Sequence, residues 1–362
     1  MNYLVLSTIV ITFSYCYERL RNKNKITKGL KWSAYAIICF VLCLFAGLRT
    51  RYNDTYAYIQ GFLNTPKEFS SLFSSDFSIS KVYLFKIWNY VIYHFISQNV
   101  HVYLFFSSIL FVCPAVYLID RYSKNLTFSM VLFMLGGMYL FSLAGLKQAM
   151  ATGVLMLGVP ALIKKKYFKY YIYCLLALGF HSYSIFFFIL PLLGTDILNK
   201  RTILFCICVV FTGIMMRFLS GAISDLIEAL GKDVETETIT SGSVNIFRLL
   251  VFLVPLALTF IGRRKLQRET SEAEKVFIKM GVLSSLFMIW ALFGNPILFG
   301  RIPQYFLVGI IISLPLLIEK VFVEKERKLM LIIAIVCYVV YGLYSLYIDG
   351  AFARDIFQLI WI

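Results

Sequence analysis

Long apolar runs recur along the whole chain, and the short segments between them carry most of the charged residues. Many of the runs extend over roughly 17–22 residues, which is enough for a helix to cross a hydrocarbon core of about 30 Å. Because lipid offers the backbone no hydrogen-bond partners, runs of this kind form helices. The pattern predicts an all-α polytopic membrane protein with about twelve transmembrane helices, folded as a single integral membrane domain over residues 1–362.

The composition supports this interpretation. The 362 residues are 60% hydrophobic and have a mean hydropathy of +0.79, whereas a soluble domain of this length is far less apolar. All eight cysteines lie inside apolar runs without the histidine spacing of a metal site, so we interpret them as packing residues and not as a disulfide framework. No positive charge precedes the first apolar run, which argues against a cleavable signal peptide.

The net charge of +16 comes largely from basic clusters between the apolar runs. This is the pattern of the positive-inside rule, and a nucleic-acid-binding face would distribute its charge differently. We therefore expect no nucleic-acid partner, and we predict that these clusters face the cytoplasm while both termini face outward. The clusters lie at residues 19–31, 121–124, 164–169, 200–201, 263–279 and 320–328.

This orientation leaves two long loops outside, 49–101 and 221–245. Within the first loop, residues 81–98 mix aromatic and basic side chains, which suits an amphipathic helix lying at the outer interface. Residues 168–198 are too long for one span. We expect two tilted helices there, joined by a turn near Gly179–Ser182 on the outer side.

Four polar clusters interrupt the apolar pattern at the predicted outer boundary. In the first, Arg49 and Arg51 bring two guanidinium groups close to the carboxylate of Asp54, and tyrosines such as Tyr56 lie between and after them. Arginine binds phosphate oxygens through two parallel hydrogen bonds, and a carboxylate accepts a hydroxyl proton. The segment indicates a site for a phosphate-bearing, hydroxyl-rich ligand. The alternative is an interfacial anchor with a local Arg–Asp pair.

The second and third clusters lie at turns between apolar helices. Lys147 and Gln148 follow Gly145 with almost no loop. A charge inside a membrane domain is costly, so Lys147 has a partner or a substrate unless its side chain extends to the interface. His181 lies beside hydroxyl-bearing residues in the turn after Gly179, where it is either catalytic or a hydrogen-bonded structural residue.

The fourth cluster ends at Arg301, at the start of a span that follows Gly294. Arg301 is either a ligand for a lipid-linked phosphate or a simple interfacial arginine. Arg248, at the outer end of another span, is a fifth candidate. All of these clusters fall on one predicted side of the membrane, as a single shared site requires.

These segments resemble those of the EpsG/Wzy group of bacterial polysaccharide polymerases. The stretch from Arg49 to Tyr56 is similar to the arginine-rich loop of that family, and Leu146–Ala151 is similar to the start of its LRQALA helix. The run from Lys164 to Ser182 resembles its KK-Y…LA–FH-S signature, and residues 301–306 resemble its late R—YF element. The order of the motifs holds over residues 40–318.

Two residues depart from the family pattern. Lys147 stands where the family usually has arginine, which keeps the charge but loses the bidentate fork. Asn53 replaces the small residues that usually precede the aspartate.

The resemblance implies a glycosyltransferase of the bacterial cytoplasmic (inner) membrane with a GT-C-like fold and an active site that faces the periplasmic side. Its donor and acceptor would be undecaprenyl-pyrophosphate-linked oligosaccharides, and the growing glycan would pass to the non-reducing end of another lipid-linked repeat unit. Membrane lipid would surround it, and a chain-length regulator is a further implied partner. We expect no cofactor.

Cleavage of the bond to the donor sugar leaves negative charge on the departing pyrophosphate, and preorganised cations stabilise that charge. No acidic cluster suited to Mg²⁺ accompanies the cations, so we predict a metal-independent reaction. Asp54 and His181 are both candidates for the general base. The predicted catalytic residues are Arg51, Asp54, His181 and Arg301. The predicted ligands of pyrophosphate or sugar are Arg49, Arg51, Tyr56, Lys147, Gln148, Arg248 and Arg301.

Three other functions remain open from the sequence. A ligase that moves finished polymer to another acceptor needs the same cations. A lipid-linked oligosaccharide flippase or transporter is expected to have charges around a midplane cavity and internal repeats, and the sequence has no clear repeat. A membrane acyltransferase would use His181 as its base but would leave the outer arginines unexplained.

Overall fold

The computed structural model describes residues 2–73, 82–194, 196–216, 218–229 and 236–348. Every regular element in these ranges is helical. The α-helices are α1 (Asn2–Asn22), α2 (Lys28–Leu48), α3 (Thr55–Leu63), α4 (Tyr83–Val91), α5 (Val100–Tyr122), α6 (Leu126–Leu135), α7 (Met138–Ala144), α8 (Leu146–Ile163), α9 (Tyr167–Leu178), α10 (Ile189–Leu192), α11 (Lys200–Ile214), α12 (Ser220–Ala229), α13 (Thr236–Ile239), α14 (Ile246–Glu269), α15 (Glu272–Phe293), α16 (Pro296–Phe299), α17 (Leu307–Val321) and α18 (Glu324–Ile348). Short 3₁₀ helices at Phe69–Phe73, Ser182–Phe188 and Ile302–Phe306, and a π-helix at Ile92–Ile96, complete the set.

Eight helical segments of the described chain are long and apolar enough to cross a membrane. They are α2, α5, α6 with α7, α8, α14, α15, α16 with α17, and α18. Four shorter or less apolar helical segments, α1, α9, Ser182–Leu192 and α11, do not meet the same length and hydropathy requirement. The structure thus supports a polytopic helical membrane protein, and the total of about twelve spans stays a prediction.

The bundle is built from two groups of closely packed helices. In one, α5 packs against α2 and α8; in the other, α15 packs against α14 and α17. Small residues allow the closest approaches: a Cβ at Gly153 of α8 would clash with the backbone of α5 at Leu110, and a Cβ at Gly309 of α17 would clash with Met280 of α15. Such contacts let helix backbones pack tightly where lipid supplies no hydrophobic driving force.

Two predicted features of the chain path are present. Helix α9 ends at Leu178 and a 3₁₀ helix begins at Ser182, so the long run breaks at the predicted turn. The predicted amphipathic segment 81–98 contains α4 and the π-helix, although its first residue lies outside the described chain. The second predicted loop contains α12 and α13, and its residues 230–235 also lie outside the described chain.

The two ends of the bundle differ in how their charges are arranged. The ion-pair end is the end that contains Asp120, Glu272 and Glu274, and it holds all seven ion pairs of the described chain. The opposite end, which we call the arginine end, contains Arg49, Lys147 and Arg301. The basic residues at the ion-pair end come from the clusters that the sequence analysis predicted to face the cytoplasm.

Candidate functional site at the arginine end

Direct hydrogen bonds join three of the predicted clusters. Gln148 Nε2, at the start of α8, donates to the carbonyl oxygen of Arg301 at 2.6 Å. The hydroxyl of Tyr305 lies 2.6 Å from Nδ1 of His181. The segment 301–305 therefore contacts both the α8 start and the turn after α9, and it brings distant parts of the sequence to one place.

Arg49 closes the end of α2 and is completely buried. Its Nε donates to Thr55 Oγ1 at 3.2 Å, its Nη1 donates to the carbonyl of Ala46, and its Nη2 has no hydrogen-bond partner in the described chain. Burial lowers the pKa of Arg49 to about 10, and the nearby phenols of Tyr139 and Tyr103 act in the opposite direction. Arg49 is therefore a fixed positive charge at neutral pH that ties the following loop to α2.

Asp54 lies directly before α3 and is exposed. Its carboxylate makes no capping hydrogen bond to α3, so its oxygens are not used to hold the helix. The preceding residue, Asn53, has a φ of 42°, and asparagine adopts this left-handed region more readily than most residues. The position before Asp54 therefore requires a residue type that tolerates a positive φ, and asparagine does so.

Tyr58 interacts with charged groups from several clusters, although it is not among the predicted site residues. Burial and the Asp54 carboxylate raise the pKa of the Tyr58 phenol, while the backbone of Lys147 and the guanidinium groups of Arg301 and Arg49 lower it. These influences come from three different predicted clusters. Helical spacing was the available signal, because residues four apart share one helix face and Tyr58 is four residues after Asp54.

Lys147 is half-buried at the beginning of α8. Its ammonium lies 5.0 Å from the centre of the Phe85 ring, within the range of a cation–π contact. The Asp54 carboxylate and the Lys86 ammonium are its principal charged neighbours. The amphipathic helix α4 therefore forms one wall of the site, and a hydrogen bond from the Phe85 amide to the Gly179 carbonyl at 3.2 Å attaches it to the turn after α9.

Arg301 is half-buried, and its guanidinium makes no hydrogen bond or ion pair with the described chain. The phenols of Tyr58, Tyr183 and Tyr305 are close enough to interact with it electrostatically. Burying a cation without a partner carries a cost. Arg301 is thus available to bind an anion from outside the protein.

His181 is buried, and its ring is held by two donors. Nδ1 accepts from the Tyr183 backbone N–H at 3.3 Å and lies 2.6 Å from the Tyr305 hydroxyl. Because Nδ1 accepts from a backbone N–H, the neutral ring carries its proton on Nε2. In this tautomer the opposite nitrogen of His181, Nε2, is a hydrogen-bond donor.

Two predicted residues make no hydrogen bond or ion pair to these groups within the described ranges. Arg51 is exposed and makes no hydrogen bond or ion pair within the described ranges. Tyr56 is 69% exposed and makes no such contact either. Arg248 has an intermediate position: its Nη2 lies 3.5 Å from the carbonyl of Gly300, next to Arg301. The predicted residues that the structure brings together are Arg49, Asp54, Lys147, Gln148, His181 and Arg301.

The fold and the site define a class: a polytopic helical membrane protein with a cluster of cations, phenols and one carboxylate at one end of its bundle. Within this class, the family model for the EpsG family matches residues 32–358. The chain therefore belongs to the EpsG family, and the match includes every candidate site residue. Comparisons with curated proteins and with solved structures give no significant match.

Proposed function

We propose that this protein is a polysaccharide polymerase that transfers a growing glycan from undecaprenyl pyrophosphate to the non-reducing sugar of a second lipid-linked repeat unit. Membership of the EpsG family supports a polymerase-like role in polysaccharide synthesis. One structural observation carries the proposal: Tyr58 interacts with Asp54, Arg49, Arg301 and the backbone of Lys147, Asp54 interacts with Lys147, and none of the three cations has an ion-pair partner in the described chain.

The cations stabilise the leaving group. When the anomeric C–O bond breaks, its electron pair remains on the pyrophosphate, which gains negative charge. Arg301 and Lys147 bind this charge directly, and the buried Arg49 adds a fixed positive field behind them. Preorganised charges of this kind act strongly in a site that excludes water.

Asp54 accepts the proton. The hydroxyl oxygen of the acceptor sugar attacks the anomeric carbon, and its proton passes to the Asp54 carboxylate as the new C–O bond forms. In this step His181 acts as a hydrogen-bond donor to the substrate through Nε2, and the hydroxyl of Tyr305 holds the ring in that tautomer. The step needs no oxidant, and we propose that it needs neither a metal ion nor a cofactor. Polymerisation that persists in excess chelator supports this part of the proposal.

The fold proposed for this reaction is GT-C-like, with about twelve crossings of the bacterial inner membrane and the arginine end facing the periplasm. The basic clusters at the ion-pair end support this orientation through the positive-inside rule. A cysteine at Tyr56 should react with a membrane-impermeant maleimide in intact spheroplasts, whereas a cysteine at Lys165 should react only after lysis. The reverse result contradicts the orientation.

The function is tested by incubating purified protein with a defined undecaprenyl-pyrophosphate repeat unit, in chelator, and measuring product length by gel electrophoresis. A ladder of multimers supports a polymerase. Because the assay contains purified protein without a chain-length regulator, the ladder would reflect the activity of this protein alone. Transfer of preformed polymer to another acceptor, without a ladder, indicates the ligase. Movement of the intact lipid across proteoliposomes without bond formation indicates the flippase or transporter.

A further inference from the structure

A cavity of about 360 Å³ lies next to the segments that contain Asp54 and Arg301, and the function proposed above gives it no role. Its walls come from the loop before α3, the break between α6 and α7, the start of α14, the end of α18, and Pro296 and Gln304. Ligand pockets typically have volumes of about 300–1,000 Å³. The cavity is therefore large enough for a ligand the size of a sugar residue.

The break between α6 and α7 leaves one side of the cavity open. The apolar span from Leu126 to Ala144 is interrupted at Gly136–Gly137, and Gly137 has a φ of 95°, a left-handed conformation that favours glycine. Both glycines line the cavity, and a Cβ at Gly137 would meet no atom within 4 Å. Irregular backbone inside a membrane domain is tolerated where it lines a polar cavity, so the break fits a cavity that holds a polar ligand.

Aromatic rings form much of the cavity wall. They belong to Tyr52, Phe141, Phe252, Tyr341 and Tyr344. An aromatic ring offers a flat apolar surface, and tyrosine adds a polar hydroxyl at its edge. A sugar ring has the matching shape, with a face of C–H groups and a rim of hydroxyls. The wall therefore fits a sugar.

Gln304 in the wall has unused hydrogen-bonding capacity. Its side chain is 5% exposed, and its Oε1 has no hydrogen-bond partner in the described chain. The backbone N–H of Gln304 donates to the carbonyl of Arg301 at 3.3 Å, so the short helix fixes its position. A buried acceptor without a donor costs free energy. A sugar hydroxyl supplies that donor, whereas an acyl chain does not.

Arg248 is the one charged side chain among the described residues that line the cavity. It is half-buried, has no ion-pair partner in the described ranges, and lies 3.5 Å from the carbonyl of Gly300. Arginine binds a carboxylate through two parallel hydrogen bonds, and a neutral ligand would leave this cation without a counter-charge. A ligand that carries both hydroxyls and a carboxylate is an acidic sugar, such as a uronic acid.

The position of the cavity indicates which sugar it holds. Asn53 lines the cavity and directly precedes Asp54, the proposed base. The base must contact the attacking hydroxyl, which belongs to the non-reducing sugar of the acceptor. In the proposed function the pyrophosphate of the donor lies on Arg301 and Lys147, so Arg248 is left for a second anionic group.

We infer that this cavity selects an acceptor whose non-reducing sugar carries a carboxylate, with the carboxylate on Arg248 and a hydroxyl on Gln304. The inference rests on the proposed function and names the class of sugar that it uses. Arg248, predicted from the sequence as a ligand of pyrophosphate or sugar, is thereby assigned to the sugar. Gln304 and Arg248 are specificity residues, and neither takes part in bond cleavage.

The test uses water-soluble methyl glycosides, so that it measures recognition of the sugar without the lipid. Binding to full-length protein in detergent is measured by saturation-transfer NMR for the methyl glycosides of glucuronic, galacturonic and mannuronic acid and for the matching neutral sugars. At least one uronide should bind about tenfold more tightly than its neutral counterpart, the effect of one charge-assisted contact.

The variants separate the two specificity residues. Arg248→Gln should remove the preference for the uronide, and Arg248→Lys should keep part of it, because the charge remains without the guanidinium fork. Arg263→Gln is the matched control, since Arg263 is an exposed arginine at the other end of the same helix, and it should keep the full preference. Gln304→Met should weaken the binding of both sugars up to about tenfold and leave their ratio unchanged.

Three results overturn the inference. One is the absence of any difference between each uronide and its neutral counterpart. Another is a preference that persists in folded Arg248→Gln. The third is acetate binding as tightly as the uronide, which would make the cavity a site for simple anions.

The inference and the proposed function fail in different ways. An Arg248-dependent preference for uronides in a protein that forms no glycosidic bond would contradict the proposed function and leave the site assignment standing. Chain extension by a protein without that preference would remove the site assignment and leave the proposed function standing.

Discussion

The two ends of the bundle use their charged residues in opposite ways. At the ion-pair end, Asp120 pairs with Arg21 at 3.4 Å and with Lys31 at 3.1 Å, and Lys165 pairs with Glu272 at 3.0 Å. At the arginine end, Lys147 and Arg301 have no such partner in the described chain. At one end several charges are paired within the protein, whereas at the other the cations have no ion-pair partner in the described chain.

The difference follows from where each charge lies. Exposed ion pairs contribute little, because water screens them and holding two long side chains together costs entropy. They stabilise the ion-pair end only slightly. Half-buried cations without partners are costly in a membrane protein, so their presence at the arginine end requires a compensating function. In the function proposed here, an anionic substrate supplies that compensation.

The largest effect is expected from Asp54→Asn, which removes the proton acceptor while keeping the shape of the side chain. The initial rate of chain extension should fall by about 10²–10⁴-fold, the usual contribution of a general base. Substrate binding should be nearly unchanged. If the variant retains a tenth or more of the wild-type rate, another group accepts the proton.

Arg301→Ala should reduce the rate of extension by about 10²–10³-fold, because it removes a cation from the developing negative charge. Arg301→Lys should recover part of this loss, since it restores the charge without the guanidinium fork. Arg263→Ala, at the ion-pair end of α14, is the control and should extend chains at the wild-type rate. Equal rates in the Arg301 and Arg263 variants would remove the distinction between the two ends.

Arg49→Met tests whether the buried guanidinium of Arg49 holds the following loop to α2. It loses the hydrogen bonds to Thr55 and Ala46, and bonds to a charged group contribute about 1.5–3 kcal/mol each. The thermal midpoint in detergent should fall clearly, and activity should fall with it as Asp54 loses its position. A melting curve that matches wild type would mean that the loop does not depend on Arg49.

Tyr305→Phe tests the orientation of His181. Losing one hydrogen bond of about 0.5–1.5 kcal/mol should lower kcat by up to roughly tenfold. KM and the thermal midpoint should stay close to wild type, because the Tyr183 N–H still holds the ring. A change confined to the thermal midpoint would assign the Tyr305–His181 contact to stability alone.

The smallest effect is expected from Lys124→Ala at the ion-pair end. Lys124 Nζ lies 3.4 Å from Glu274 Oε1, and the lysine side chain is about half exposed. Its loss should cost about 1 kcal/mol of unfolding free energy or less and leave the product ladder unchanged. A shortened ladder would show that charges at both ends affect catalysis.

The sequence predicted the helical class and the grouping of the polar clusters, because apolar run length and charge asymmetry are properties of the chain itself. The turn at residues 179–182 was predictable for the same reason. The break at Gly136–Gly137 was not, since two glycines inside an apolar run change neither its length nor its charge. The short helices α9 and α11 also differ from the full-length spans that run length alone predicts.

Within the site, the sequence predicted which segments contribute but not which side chain of each segment faces inward. Arg49 is buried and Arg51 is exposed, although both are arginines two residues apart. That choice depends on how the end of α2 packs against α5, which is tertiary information. Helical spacing could have identified Tyr58, because it lies four residues after Asp54.

The central claim is that the arginine end carries out glycan transfer and the ion-pair end does not. The most direct measurement compares chain extension by purified wild type, Arg301→Ala and Arg263→Ala on one defined undecaprenyl-pyrophosphate repeat unit, with folding verified by thermal melting. We predict a full ladder for wild type and Arg263→Ala and, over the same reaction time, extension slowed by about 10²–10³-fold for Arg301→Ala. A full ladder from folded Arg301→Ala would contradict the claim.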